Sequence, residues 1–170
     1  MSTIVVLNGT SSSGKTSIAR AWQARARTIF LNFSIDSVLY ALPQHVLDAI
    51  IRGDEVPELR YRDLVRGYYA CVRELANLGH DLVIDNAVTT EWMAAALRDA
   101  VAGHRTLYVA IDCSPDTLDA RERARGDRRP GLARQQCSRI HQWLAYDVRI
   151  DSEDLSPEDA AAAIEDALRR

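Results

Sequence analysis

The chain has 170 residues, 47% hydrophobic and 26% charged, with a formal net charge of −3 and a pI of about 5.8. That balance suits one globular domain with its own core, and it excludes disorder as a description of the whole. It shows no basic excess of the kind a duplex nucleic-acid binder uses to neutralise phosphates, and no run of about 18 apolar residues to span a bilayer.

In chain order, Ile4–Leu7 is a short apolar run that reads as a buried strand. Thr16–Arg27 has helical spacing. Ile29–Leu31 with Phe33 is a second strand, and Glu58–Leu78 is a long helix closed by Gly79. Leu82–Ile84 follows as a third strand, and Thr90–Val101 as a helix ending before Gly103. Leu107–Ile111 is a fourth strand. Ser114-Pro115-Asp116 then opens a helix toward Arg125 with a cap, a first-turn proline and an acid in order. Tyr146–Ile150 reads as a fifth, more polar strand, and Ser156-Pro157-Glu158-Asp159 repeats the start signal for the last helix. Strands that are apolar without alternation are covered on both faces. Their alternation with helices predicts an α/β fold, with a roughly five-stranded, mostly parallel sheet and helices on both sides. In such sheets ligands bind at the C-terminal strand ends.

The residues after the first strand are Gly9-Thr10-Ser11-Ser12-Ser13-Gly14-Lys15-Thr16, the GxxxxGK[ST] pattern of a P-loop. Glycines let the chain wrap so that backbone N–H groups face phosphates, and the next helix adds the positive end of its dipole. Lys15 reaches the β- and γ-phosphates, and the Thr16 hydroxyl ligates Mg²⁺. Of 21 basic side chains Lys15 is the one lysine, the rest being arginine. The expected nucleotide-binding set is Gly9, Thr10, Ser11, Ser12, Ser13, Gly14, Lys15, Thr16 and Ser17.

Strand two is followed by Asp36, placed either to accept the proton of an attacking hydroxyl or simply to cap a helix. Strand three is followed by Asp85, the position from which an acid holds Mg²⁺ in a P-loop protein. Thr16 and Asp85 are therefore the expected metal ligands. Residues 121–129 hold five arginines, with Gly126 and Gly131 flanking the densest part. We expect a lid at about 121–135, with Arg125 and Arg128 meeting the transferring phosphate. Past Asp36, Leu39, Tyr40, Leu42, Val46, Leu47 and Ile50 form an apolar stretch that reads as core or as one wall of a substrate pocket. The four histidines do not cluster in sequence, and Cys71, Cys113 and Cys137 lack disulfide or zinc spacing. Buried free thiols in a reducing cytoplasm are the expectation, and the first ten residues show no secretory signal.

With these parts assembled, the chain resembles the chloramphenicol phosphotransferase-like family of small P-loop kinases. The matching residues are Leu7-Asn8-Gly9 with Ser11-Ser12 and Gly14-Lys15-Thr16, then Phe33, Asp36-Ser37 and Pro43, then Ile84-Asp85. Further on they are Ala124-Arg125-Gly126-Asp127-Arg128, Gly131, Gln135, His141, Tyr146-Asp147-Val148 and Asp151. The resemblance implies transfer of the ATP γ-phosphate to a hydroxyl of an antibiotic, with Mg²⁺, as resistance or self-protection. The acid matching Asp36 is the family's proposed base, and the residues matching Arg125 and Arg128 its phosphate-contacting arginines. The chain departs from the family between Pro43 and the long helix, where residues 44–57 form a shorter segment poorer in glycine and acids. Chloramphenicol itself is thus less well implied as the acceptor than the kinase chemistry, and nucleoside antibiotics are equally open.

The expectation is a single P-loop kinase domain over residues 1–170, using ATP and Mg²⁺ and a small-molecule hydroxyl acceptor. No nucleic-acid or membrane partner is expected, and a homo-oligomer is left open. The alternatives are a metabolic kinase for a nucleoside, nucleotide or sugar acid, and a nucleotide-dependent switch protein. Against the switch, no NKxD base-specificity motif is present.

Overall fold

The computed structural model describes residues 1–125 and 131–170. Its five strands are β1 (Thr3–Gly9), β2 (Phe30–Ser34), β3 (Asp81–Asn86), β4 (Arg105–Asp112) and β5 (Val148–Asp151). They form one sheet in the order β2-β3-β1-β4-β5, and every pairing is parallel. The helices are α1 (Lys15–Arg25), α2 (Ile35–Leu39), α3 (Gln44–Arg52), α4 (Tyr61–Asn77), α5 (Glu91–Val101), α6 (Pro115–Arg125), α7 (Leu132–Cys137) and α8 (Pro157–Leu168).

β1 shows why the layers form. Its side chains alternate between two cores because successive strand residues point to opposite faces. Ile4 and Val6 join α4 and α5 on one side, through Val65, Tyr68, Val72, Ala94 and Leu97. Val5 and Leu7 join α1 and α8 on the other, through Ile18, Trp22, Ala160 and Ile164. Each of these β1 side chains is fully buried, which stabilises the fold by about 1.5–3 kcal/mol apiece. With both faces covered, β1 has no polar alternation, and the unbroken apolar run in the sequence follows from that.

Several boundaries differ from the sequence reading. β2 starts at Phe30, leaving Ile29 exposed outside the strand. β5 starts at Val148 rather than Tyr146, because the Asp147 N–H and carboxylate both turn back to the Tyr108 backbone and the Tyr146 hydroxyl is held elsewhere. α4 starts at Tyr61, after a turn in which the Leu59 N–H bonds to Val56 O. Its end is as expected: Gly79 takes φ +94, and the His80 N–H bonds back to Leu75 O. α3 occupies the apolar stretch after Asp36, with Val46, Leu47, Ile50 and Ile51 half-buried on one face and no residue fully buried. The thiols are free, but they are not buried: Cys71 is exposed, and Cys113 and Cys137 are half-buried. Among the described residues no helix is long and apolar enough to cross a membrane.

Candidate active site

β1 pairs on one side with β3 and on the other with β4, so the loop leaving β1 emerges at the centre of the sheet's C-terminal edge. The β1–β3 register sets Leu7 beside Asp85, and the β2–β3 register sets Ser34 beside the same Asp85. Gly9, two residues past Leu7, and Asp36, two residues past Ser34, therefore flank the end of β3. Three segments distant in sequence converge there because of this register.

The loop itself is tight. A Cβ on Gly9 would lie 2.7 Å from Ile111 O and 2.7 Å from Ser13 Oγ, so only glycine fits. Gly14 caps α1 at φ +91, and the Ser17 and Ile18 N–H groups bond to its carbonyl. Ser12 adopts φ +61, the one non-glycine residue in the left-handed region among those described, at a cost of about 1 kcal/mol. Thr10, Ser12 and Ser13 are buried, and the hydroxyls of Ser12 and Ser13 have no hydrogen-bond partner among the described residues. Buried polar atoms normally find a partner, so the two hydroxyls leave hydrogen-bonding capacity unused in a loop whose pattern is that of a phosphate cradle.

Lys15 is 8% exposed. Its Nζ donates to Thr10 O at 2.6 Å and lies 3.7 Å from Asp85 Oδ1. The Thr16 hydroxyl donates to Asp85 Oδ2 at 2.7 Å. The sequence-predicted phosphate lysine and both predicted metal ligands are thus brought into one cluster. Among the described residues no group of three or more acids, histidines or cysteines could hold a metal by itself. One carboxylate and one hydroxyl beside a phosphate loop nonetheless fit Mg²⁺, which keeps much of its water and takes the rest of its shell from phosphates.

Asp36 lies in the first turn of α2, half-buried, and it is not the cap. Ser34 caps the helix, its Oγ accepting the Asp36 N–H at 3.2 Å. Tyr61 lies close by: desolvation, and then the Asp36 charge, push its phenol above its ordinary pKa, although the residue is 45% exposed. Arg125 ends α6 and is exposed, and Arg128 lies outside the described residues, as does the middle of the expected lid.

Other residues that meet the loop carry no local sequence signal. Arg121 is half-buried, with Nη1 placed to lie 3.7 Å from a Cβ on Gly14, and it donates to Ser152 Oγ at 3.0 Å and Ser152 O at 2.9 Å. The arginine run contains Arg121, but nothing in the run marks it above its neighbours. Asn8, fully buried, donates through Nδ2 to Ile140 O and the Tyr146 hydroxyl and accepts the Val88 N–H at 2.8 Å. It fastens the segment after α7 and the loop after β3 to the strand that carries the P-loop. Arg134, by contrast, is held by Asp119 at 2.7 Å and is committed to a surface pair.

Comparison with known proteins follows this geometry. Residues 2–169 match the family model described as chloramphenicol phosphotransferase-like protein. A Mycobacterium tuberculosis protein provisionally named as an O-phosphotransferase is 31% identical over 168 residues, covering 88% of this chain and 74% of that one. Among solved structures, a sugar kinase from Janibacter sp. superposes with a TM-score of 0.76 at 17% identity, over 99% of this chain and 95% of that one. The APS kinase of Mycobacterium tuberculosis gives 0.68 at 19%, over 99% and 98%. The tunicamycin resistance protein of Deinococcus radiodurans gives 0.66 at 13%, over 99% and 96%. These structures share the P-loop kinase fold. The chain belongs to the chloramphenicol phosphotransferase-like family, and it is a small-molecule kinase.

Proposed function

We propose that a single P-loop kinase domain moves the γ-phosphate of ATP, with Mg²⁺, onto a hydroxyl of an antibiotic. The observation that carries this reading is the cluster of Lys15, Thr16 and Asp85 beneath a loop whose buried Ser12 and Ser13 hydroxyls lack partners among the described residues. The family description and the neighbouring tunicamycin resistance protein favour an antibiotic, and the sugar-kinase neighbour puts sugars on the same test panel. A cytoplasmic setting, where ATP is supplied, suits the reaction.

In this mechanism the Gly9–Ser17 segment cradles the phosphates through those backbone N–H groups it does not already bond within the protein, and Lys15 leaves Thr10 O to meet the β- and γ-oxygens. Thr16 and Asp85 hold Mg²⁺, which when bound neutralises charge on the phosphates. Asp36 orients the acceptor hydroxyl and takes its proton as the acceptor oxygen bonds to the γ-phosphorus and the bond to the β-phosphate oxygen breaks. ADP and the phosphorylated acceptor are the products. Arg125 and Arg128 are the proposed lid arginines, matching guanidinium forks to the oxygens of the transferring group. Arg121 steadies the α6 side of the loop.

The test is label transfer from γ-labelled ATP with Mg²⁺ to a panel of chloramphenicol, other hydroxylated antibiotics, nucleosides and sugars, with Lys15→Ala as control. Lysine-dependent labelling of an antibiotic is the expected result. Labelling of a nucleoside or sugar alone would make this a metabolic kinase. ATP binding with no labelled acceptor would favour a nucleotide switch.

A further inference from the structure

Ser12 holds a left-handed backbone, φ +61, at the apex of the P-loop. A strained residue keeps its conformation only where its surroundings hold it there. Within the loop the backbone bond beside it is weak, Ser13 N–H to Thr10 O at 3.3 Å. The strong contact comes from outside: Gln136 Oε1 accepts the N–H of Ser11 at 2.6 Å, across 125 residues of sequence. Gln136 is half-buried on α7.

α7 is only six residues long, and it is fixed by side chains of α6. Glu122 is buried, and its carboxylate accepts the Gly131 N–H at 2.6 Å and the Ala133 N–H at 3.1 Å. These are donors that the start of a helix leaves without intrahelical partners, and a carboxylate there also complements the positive end of the helix. Arg134 adds a second tie, to Asp119 at 2.7 Å. α6 thus holds α7, and α7 presents Gln136 to the loop.

We propose that Gln136 is a positioning residue that pre-forms the phosphate-binding loop by pinning Ser11 and so holding Ser12 in its left-handed conformation. The proposal deepens the nucleotide-binding reading and rests on it. Gln136 acts on the loop backbone, through the Ser11 N–H. A pre-formed loop pays its ordering cost before the phosphates arrive, so losing the pin weakens binding without removing any phosphate donor.

The test is a cycle read by calorimetric binding of Mg·ATP to the full chain. Gln136→Met keeps the side chain's length but removes the acceptor. It is expected to weaken binding by about fivefold to tenfold in the wild-type background. Glycine adopts positive φ freely, so in a Ser12→Gly background the same replacement is expected to cost less than about twofold. Equal losses in the two backgrounds, or no loss in the first, overturn the proposal. Amide exchange at Ser11 in the free protein decides independently of how well the variants fold. A protected Ser11 N–H supports the pin, and exchange at the rate of an open loop overturns it. Failure of the wild-type protein to bind Mg·ATP would count against the nucleotide-binding reading, while the Ser11 exchange would still judge the pin.

Discussion

On the nucleotide side of the candidate site, Thr10, Ser12, Ser13, Lys15 and Asp85 are all buried, and the loop is pinned to the sheet, to α7 and to itself. On the proposed acceptor side, α2 and α3 bury no residue, and α3 carries the half-buried Val46, Leu47, Ile50 and Ile51 on one face. On the proposed function, this contrast predicts a phosphate site built before any ligand arrives and an acceptor wall that gains burial from what it binds.

The largest effect expected on this view is at Lys15. Lys15→Ala removes the cation from the phosphates and leaves Asp85 without it, so phosphoryl transfer should fall by at least about a thousandfold, read by label transfer. Asp36→Asn should come next. It should lower kcat by about a hundredfold to a thousandfold with Mg·ATP affinity unchanged, since the carboxylate acts on the acceptor hydroxyl. Retained kcat would remove Asp36 from the mechanism, and lost ATP affinity would erase the distinction between the two sides.

A smaller effect is expected on α3. Leu47→Ser with Ile50→Ser should raise the KM for the acceptor by about tenfold, with little change in melting temperature or in ATP affinity. A large drop in melting temperature would make this face part of the core. Ile84→Ala in β3 is the contrasting control, because a fully buried isoleucine costs about 2–5 kcal/mol when truncated.

The smallest effect concerns acid. His141 Nε2 lies 3.2 Å from Asp112 Oδ1, and its Nδ1 is 2.9 Å from the Tyr146 hydroxyl. Burial lowers the pKa of this imidazole, outweighing the opposing pull of Asp112, with Arg149 adding to the decrease. The unfolded chain therefore binds the proton more readily than the folded one. Stability contributed here is present above the ordinary histidine value of about 6.5 and is lost as pH falls through the lower folded value. Denaturant midpoints should drop on acidification below about pH 6.5, and His141→Gln should flatten part of that slope. A slope unchanged by the substitution would assign it to other groups.

Most of the architecture is legible in the chain because its signals are local. The apolar run of β1, the Ser156-Pro157 start of α8, where Ser156 Oγ accepts the Asp159 N–H, and Gly79 after α4 each act within a few residues. The positions of the P-loop, Asp36 and Asp85 are legible for a related reason, since each lies at or just past the C-terminal end of an apolar strand. Contacts between distant segments leave no such trace. Nothing in the spacing of Gln136 points to Ser11, nothing in an acidic residue amid arginines marks Glu122 as a buried cap for α7, and Asn8 reads as one more strand residue. β5 starts later than its sequence suggests on the same ground, because Tyr146 looks like a strand aromatic and its hydroxyl is engaged by Asn8 instead.

The most direct measurement is calorimetric titration of Mg·ATP, without acceptor, into the wild-type protein, Lys15→Ala and Asp36→Asn. A phosphate site that is built in advance and separate from the acceptor wall predicts one-site binding by the wild type. It also predicts the same affinity for Asp36→Asn and a loss of at least about tenfold for Lys15→Ala. Binding that needs the acceptor, or that falls with Asp36→Asn as far as with Lys15→Ala, would contradict the account.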